Sequence, residues 1–319
     1  MTVNFEKIEQ AFDLLLTNVQ QLQSDLATNI YDAIVEQNAY FVQGEGKLAK
    51  LDANNEALRA LNLTAEEWRR AYQYLLMKAN QLEPLQRNHQ LTPDTVGFLL
   101  LYVMEVLCAK DQLDLVEIGS GTGNLAETLV INSAKKLDYL GIEVDDLLID
   151  LAASTADVIG TDLHFIQEDA VRPQLLKPSD VLLADLPVGF YPDDVIASRY
   201  QVASKTEHTY AHHLLMEQGL KYLKPGGLAI FLAPRDLLTS PQSDLLKAWL
   251  QKEAQVLAMV TLPENLFHSE KDEKTLYVLA KRQEQVENVF VYPLTDLNDA
   301  TVIRQFMEAL AAWRAKNLS

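Results

Sequence analysis

Four stretches of the chain carry residues whose types and spacing suit chemistry. An apolar run, Leu115-Val116-Glu117-Ile118, leads directly into Gly119-Ser120-Gly121-Thr122-Gly123-Asn124. Glycines at alternate positions let a backbone turn tightly and approach a ligand, and a helix opening after them presents unbonded amides. A second apolar run, Tyr139 to Val144, contains Glu143, an acid 20 residues past Gly123. A carboxylate there can accept hydrogen bonds from both hydroxyls of a ribose. Asp169, in Gln167-Glu168-Asp169-Ala170 after a third run, is placed to accept from the exocyclic amine of adenine. A fourth run ends in Asp185-Leu186-Pro187-Val188-Gly189-Phe190-Tyr191, which combines a carboxylate, a rigid proline and two aromatic rings.

Two nucleoside cofactors compete for the first three stretches. Gly121-Thr122-Gly123-Asn124-Leu125-Ala126 satisfies the dinucleotide fingerprint G-x-G-x-x-A. Three features favour S-adenosylmethionine. Glu117 stands two residues before Gly119, where the methyltransferase pattern E/D-x-G-x-G-x-G has its acid, able to orient the loop and receive an ammonium group. Helical sequence precedes the glycine loop, and Asp169 suits an adenine amine.

The fourth stretch resembles the adenine-N6 DNA methylases related to type I restriction-modification subunits, which carry Asn/Asp-Pro-Pro-Phe/Tyr here. The resemblance runs over roughly residues 89 to 282. It includes Leu91-Thr92-Pro93, the segment from His208 through Lys224-Pro225-Gly226-Gly227, and Leu262-Pro263-Glu264-Asn265-Leu266-Phe267 followed by Thr275-Leu276-Tyr277-Val278-Leu279. Within the family the chain is most similar to the short YtxK-like methyltransferases of Gram-positive bacteria, which share the Asp-Leu-Pro form. The resemblance implies a cofactor site of Thr92, Pro93, Glu117, Gly119, Gly121, Gly123, Asn124, Glu143, Val144, Asp169, Ala170 and Asp185. It implies a catalytic set of Asp185, Leu186 and Pro187, with the Asp185 carboxylate and the Leu186 carbonyl holding an amine whose lone pair takes the methyl group.

Departures from the family pattern bear on the acceptor. Leu186 replaces the first proline and Val188 the aromatic residue that stacks on a flipped base, a contact of about 1–3 kcal/mol. Phe190 or Tyr191 is expected either to replace that ring, completing a substrate-binding set with Val188, or to pack as lid or core. About 37 residues follow position 282, too few for an obvious target-recognition domain, so DNA reading would need a partner. His208 and His212 are one helical turn apart, but no cysteine or suitably spaced acid completes a metal set, and none is expected. Helix packing is the expectation for these histidines, with Tyr210 and His213 candidates to face the substrate. The alternatives are a cofactor-binding protein without transfer activity, gating contact with a partner, or a methyltransferase for a small molecule, protein or RNA.

The elements that must position these residues are legible as periodicities. Apolar runs at 113–118, 139–144, 163–166, 181–185 and 228–233 alternate with helical segments, which implies parallel strands with crossover helices. The runs at 256–262 and 275–280 suggest an antiparallel pair at the sheet edge. Asn288 to Tyr292 offers a small extra strand, and Val302 to Trp313 a terminal helix. The expected fold is α/β, a Rossmann-like seven-stranded class I methyltransferase sheet with an antiparallel edge hairpin, spanning residues 89–319. A small all-helical domain, residues 1–88, precedes it. There Phe5, Ile8, Phe12, Leu15, Val19, Leu22 and Leu26 form one helical stripe, for a small bundle or for a coiled-coil contact with a partner or second copy. Thr64 and Glu67 have capping-box spacing, and Thr92-Pro93-Asp94 reads as an N-cap with proline at the first helical position.

Composition bounds what remains. The 319 residues carry 27 Lys and Arg against 45 Asp and Glu, a net charge of −18. Residues 1–88 hold 8 basic and 12 acidic side chains, residues 89–319 hold 19 and 33. Unaided DNA binding relies on phosphate neutralisation, so most of the acid excess lies in the segment that resembles a DNA-modifying domain. Arg69, Arg70, Lys78 and Arg87 form the one basic cluster worth testing for nucleic-acid contact. Cys108 is the only cysteine and reads as a small core residue. The sequence shows no signal-peptide pattern and no apolar run of membrane-spanning length, so a cytoplasmic location is expected.

Overall fold

A computed structural model of the chain describes residues 3–44, 49–86, 91–267, 269, 272–281 and 288–318. Its elements run α1 (Phe5–Leu26), α2 (Ile30–Gln43), α3 (Ala49–Ala60), α4 (Ala65–Leu82), α5 (Asp94–Leu107), β1 (Gln112–Ile118), α6 (Asn124–Asn132), β2 (Lys136–Glu143), α7 (Asp146–Ile159), β3 (Leu163–Gln167) and β4 (Ser179–Asp185). They continue with α8 (Asp194–Ala197), α9 (Ala211–Lys221), β5 (Leu223–Pro234), α10 (Ser243–Glu253), β6 (Ala254–Thr261), β7 (Lys274–Lys281), β8 (Phe290–Pro293) and α11 (Ala300–Asn317). Among the described residues no helix is long and apolar enough to cross a membrane.

Eight strands form one sheet in the order β3-β2-β1-β4-β5-β7-β6-β8. β1, β2, β4 and β5 run parallel, β7 is antiparallel to both β5 and β6, and β6 pairs parallel with β8. The α/β class and the antiparallel hairpin agree with expectation. The strand count needs correction from seven to eight, and the hairpin is not the edge. β8 lies outside it, with Phe290 to Pro293 opposite Ala258 to Thr261, and satisfies backbone groups that β6 would otherwise leave unpaired.

The chain divides into two compact units. One comprises residues 1–94, 120–133 and 143–167. Its core is helical. Asn4 caps α1 by accepting from the amides of Glu6 and Lys7, and Ile8, Leu15, Val19 and Leu22 are buried along one face. Phe5 and Leu26, expected on the same stripe, are exposed, because they are the first and last residues of α1, at the two ends of the buried seam. Leu148, Leu151 and Val158 of α7 belong to this core. The capping box at Thr64 and Glu67 forms as expected, and Glu67 also accepts from the Asn4 amide at 2.9 Å. A buried amide cluster joins Asn18 to Gln37 and Asn55 at 3.0 and 3.1 Å. Every side chain in it has a partner, which makes such a cluster a fixer of helix register rather than a burden.

The basic cluster of this unit requires a correction. Arg69 is 2% exposed, and its guanidinium binds Glu66, Asp94 and Thr128, so it is a buried tie between segments. Burial works to raise the pKa of Glu66, but the hydrogen bonds from Arg69 and Arg70 outweigh it and hold it at about 2. Arg70 is paired to the same Glu66, and Arg87 lies outside the described residues.

The other unit comprises residues 95–119, 134–142 and 168–319. α5 starts at Asp94, two residues after the expected Thr92 cap. β4 is buried along nearly its whole length, as a strand in the middle of a parallel sheet must be. Gly219 of α9 explains the close packing there, since a Cβ on it would meet Leu182 at 2.9 Å. Cys108 is buried, which pushes its thiol up to about 11 and leaves it unreactive at neutral pH.

Candidate active site

The residues singled out in the sequence fall into one set in each unit. In the first, residues 120–123 of the glycine loop lead into α6, while Gly119 before them belongs to the other unit. Gly119, Gly121 and Gly123 all have positive φ, at 70°, 55° and 76°, a region that L side chains seldom adopt. A Cβ on Gly123 would stand 3.0 Å from the Ala152 Cβ, so glycine there is required by packing as well. At Gly119 and Gly121 a Cβ would meet nothing within 4 Å. Those two glycines keep room open beside the loop.

Glu143 holds that loop. One carboxylate oxygen accepts the Gly121 amide at 2.9 Å, and the other accepts the amides of Val144 and Asp145 at 2.8 and 3.0 Å. A carboxylate offers about four acceptor positions, so the acid expected to receive a ribose also fixes the backbone that would surround it. The Asn124 side chain donates to the Thr92 carbonyl at 2.9 Å, which ties the Thr92-Pro93 segment to the start of α6. Val144 is 63% exposed, an apolar side chain left on the surface beside Glu143. The Ser120 hydroxyl is buried and has no hydrogen-bond partner among the described residues. An unbonded buried polar atom in a loop with free space suits a bound polar ligand.

The second set surrounds the end of β4. Glu117 is 2% exposed and accepts the Tyr139 hydroxyl at 2.6 Å, while the Gly119 amide donates to the Ile142 carbonyl at 2.8 Å. Asp169 accepts the Val171 amide on one oxygen at 3.0 Å and the Tyr191 hydroxyl on the other at 2.6 Å; Ala170 beside it is buried. Asp185 ends β4 as expected and forms an ion pair with Lys274, the first residue of β7. The Leu186 amide donates to the Leu232 carbonyl at 2.9 Å, which seats the Asp-Leu-Pro segment against β5.

The two aromatic candidates behave differently. Phe190 is 53% exposed and stacks on Tyr210, with ring centroids 4.8 Å apart and planes 9° from parallel. Tyr191 is 7% exposed and its hydroxyl is engaged by Asp169, so Phe190, not Tyr191, has a ring face open beside the exposed Val188. Burial, with the Asp169 hydrogen bond, raises the Tyr191 phenol well above its ordinary pKa. Residues 189–191 are zipped to 209–211. The Tyr191 amide donates to the Thr209 carbonyl at 2.8 Å and the Ala211 amide to the Gly189 carbonyl at 2.9 Å.

The histidines take three separate roles. His208 is exposed and bonded to Asp194. His212 stacks on Tyr210 and donates to the Pro187 carbonyl, and burial lowers its pKa to about 4. His213 is fully buried edge-on to both rings, and burial lowers its pKa to about 3, so it does not face an acceptor in solvent. Both are neutral at pH 7. Among the described residues no group of three or more His, Cys, Asp or Glu is arranged to hold a metal ion.

Sequence reading missed Lys274, the His212 bond to Pro187, and the Tyr191 bond to Asp169. Lys274 sits in Glu273-Lys274-Thr275 with no motif around it. Only the antiparallel register that sets it opposite Pro234 delivers it to Asp185.

The model of the N-6 DNA Methylase family matches residues 66–306. YtxK of Bacillus subtilis (strain 168) is 31% identical over 272 residues, 82% of each chain. A protein from Listeria monocytogenes, described as a class I S-adenosylmethionine-dependent methyltransferase, superposes with a TM-score of 0.89 at 29% identity, covering 97% of this chain and 99% of that one. The methyltransferase subunit of a type I restriction-modification system from Streptococcus thermophilus shares the fold, with a TM-score of 0.66 at 15% identity over 94% and 74% of the two chains. With three quarters of its length matched by the family model, this chain belongs to the N-6 DNA Methylase family.

Proposed function

We propose that the protein is an S-adenosylmethionine-dependent N-methyltransferase. S-adenosylmethionine supplies a methyl group on a cationic sulfur, open to displacement by an amine lone pair. The family membership and the Listeria relative support that cofactor, and the residues fit it. Gly119 and Gly121 leave room beside the loop and Ser120 offers an unbonded hydroxyl; Glu143 would accept from a ribose and Asp169 from an adenine amine.

The observation that carries the transfer reading is Asp185, a partly exposed carboxylate at the end of buried β4, followed by a segment fixed through Leu232 and His212. Asp185 and the Leu186 carbonyl would accept the two protons of an acceptor amine, which directs its lone pair outward. No base is required before transfer, because a neutral amine attacks with its lone pair and loses its proton afterwards. Rate then comes from orientation and from excluding water. The Phe190 ring favours a flat acceptor such as a nucleobase, and the family makes DNA adenine the first to test. A partner would supply sequence reading. The proposed setting is the cytoplasm, in keeping with one buried cysteine and no disulfide.

The Lys274 ion pair favours a second reading, cofactor binding without transfer, because an acceptor amine must share or displace an ammonium already on Asp185. We also propose that the helical region of residues 1–88 contacts a second copy. Phe5, Phe12, Tyr74 and Met77 line an open groove there, together with Glu9 and Lys78, charges that a two-fold copy could pair reciprocally. Calorimetric titration with S-adenosylhomocysteine tests the cofactor, and absence of binding by folded protein overturns it. Labelled methyl transfer to DNA, RNA and cell extract, with adenine methylation compared between wild-type and deletion genomes, identifies the acceptor. Incorporation into none of them selects the second reading, and light scattering across a concentration series tests the dimer.

A further inference from the structure

Asp169 and the acceptor loop are joined by one side chain. The Tyr191 hydroxyl donates to an Asp169 oxygen at 2.6 Å, the short range of a hydrogen bond to an ionised acceptor. The same carboxylate takes the Val171 amide at 3.0 Å on its other oxygen, and Arg172 stands 3.4 Å away. With about four acceptor positions on a carboxylate, a further donor can still be received. From the Tyr191 ring the connection runs back through backbone. Its amide is bonded to Thr209, Gly189 accepts from Ala211, Phe190 stacks on Tyr210, and His212 of the same segment holds the Pro187 carbonyl. Val188 and Phe190, the exposed residues of the loop, lie between Pro187 and Tyr191.

We propose that Tyr191 is a positioning residue that makes the order of the acceptor loop depend on the cofactor, because the carboxylate that would receive the adenine amine also anchors the loop. The proposal rests on the S-adenosylmethionine reading above. An adenine amine on Asp169 restrains the carboxylate, so Tyr191 then loses less freedom in holding it, and the coupling is positive with no change of backbone path required. By linkage, anything that steadies residues 187–191 raises cofactor affinity by the same factor.

Hydrogen exchange read by mass spectrometry, with S-adenosylhomocysteine as the probe, tests this without knowledge of the acceptor. In the wild-type chain the probe is expected to slow exchange over residues 187–192 severalfold. In Tyr191→Phe, which keeps the buried ring and removes only the hydroxyl, the probe is expected to bind three- to tenfold more weakly and to leave exchange there unchanged. Phe190→Ala, lacking an exposed ring with no bond to Asp169, is expected to retain the slowing. The proposal is overturned if the probe binds wild type without slowing these amides, or if Tyr191→Phe keeps the full slowing. Binding that is unaffected by Asp169→Ala overturns the adenine assignment and the proposal with it. No binding at all overturns the cofactor reading itself. Circular dichroism of each variant identifies any that fail to fold, and equal native spectra for Tyr191→Phe and wild type make its exchange result decisive.

Discussion

The glycine loop and the acceptor loop both leave buried parallel strands, yet they keep their shapes by different means. The first is fixed chiefly by backbone conformation. Three glycines at positive φ define it, and one side chain, Glu143 of the strand next to β1, accepts the Gly121 amide. The second is fixed by backbone bonds to Leu232, Thr209 and Ala211 and, besides these, by several separate side chains. Lys274 reaches Asp185 across 89 positions, Tyr191 reaches Asp169 across 22, and His212 reaches back to Pro187. A backbone device tolerates little change, whereas a side-chain device can be altered one residue at a time.

The most disruptive test of that contrast is Gly123→Val. Left-handed backbone costs roughly 1–2 kcal/mol for an L side chain and overpacking against Ala152 about 1–3 more, so thermal stability and S-adenosylhomocysteine binding should both fall sharply. Gly121→Ala pays only the backbone term, and is expected to lose cofactor affinity in calorimetry while melting within a few degrees of wild type. If both variants melt alike, the loop is not limited by packing.

Next in size is Asp185→Ala. Labelled transfer should fall by about two orders of magnitude or more, the scale of one lost orienting contact at a reacting group. Loss of the cofactor together with the fold would instead make Asp185 a structural partner of Lys274. Phe190→Ala should raise the KM for a flat acceptor by about 5- to 150-fold, equivalent to roughly 1–3 kcal/mol of stacking, with kcat little changed. An unaffected KM would assign the Phe190 ring to packing on Tyr210 alone.

The smallest effect concerns charge. Glu127, one turn into α6, is buried with one oxygen unbonded, and burial raises its pKa to about 7 although Thr161 donates to it. His212 and His213 beside the acceptor loop have pKa values lowered to about 4 and 3. Between pH 5 and 8 Glu127 of the glycine-loop helix therefore titrates in the folded chain, whereas His212 and His213 stay neutral. For Glu127 the folded pKa lies above the unfolded value of 4.5, so the folded state holds the proton longer. Its contribution is full below pH 4.5 and is lost as pH rises through about 7. Glu127→Gln should flatten the pH dependence of thermal stability over that window and raise the melting temperature at pH 8 by about 2–4 °C. His212→Gln should remove a slope of the opposite sign below about pH 6.5, because the folded chain keeps that ring neutral down to about pH 4 while the unfolded imidazole protonates near 6.5.

Sequence alone determined the parts whose cause is local. Three alternating glycines after an apolar run, the capping box at Thr64 and the strand-helix alternation all follow from neighbours within one or two turns, where period and backbone freedom suffice. Tertiary structure decided the rest. That Arg69 is buried rather than part of a basic face depends on Asp94 and Thr128 meeting it from other segments. That β8 covers the hairpin depends on a parallel pairing no periodicity announces. That Lys274 sits on Asp185 and Tyr191 on Asp169 depends on strand register and loop path. A pattern of residue types records which face of an element is apolar, but not which distant side chain the assembled sheet will bring to a carboxylate.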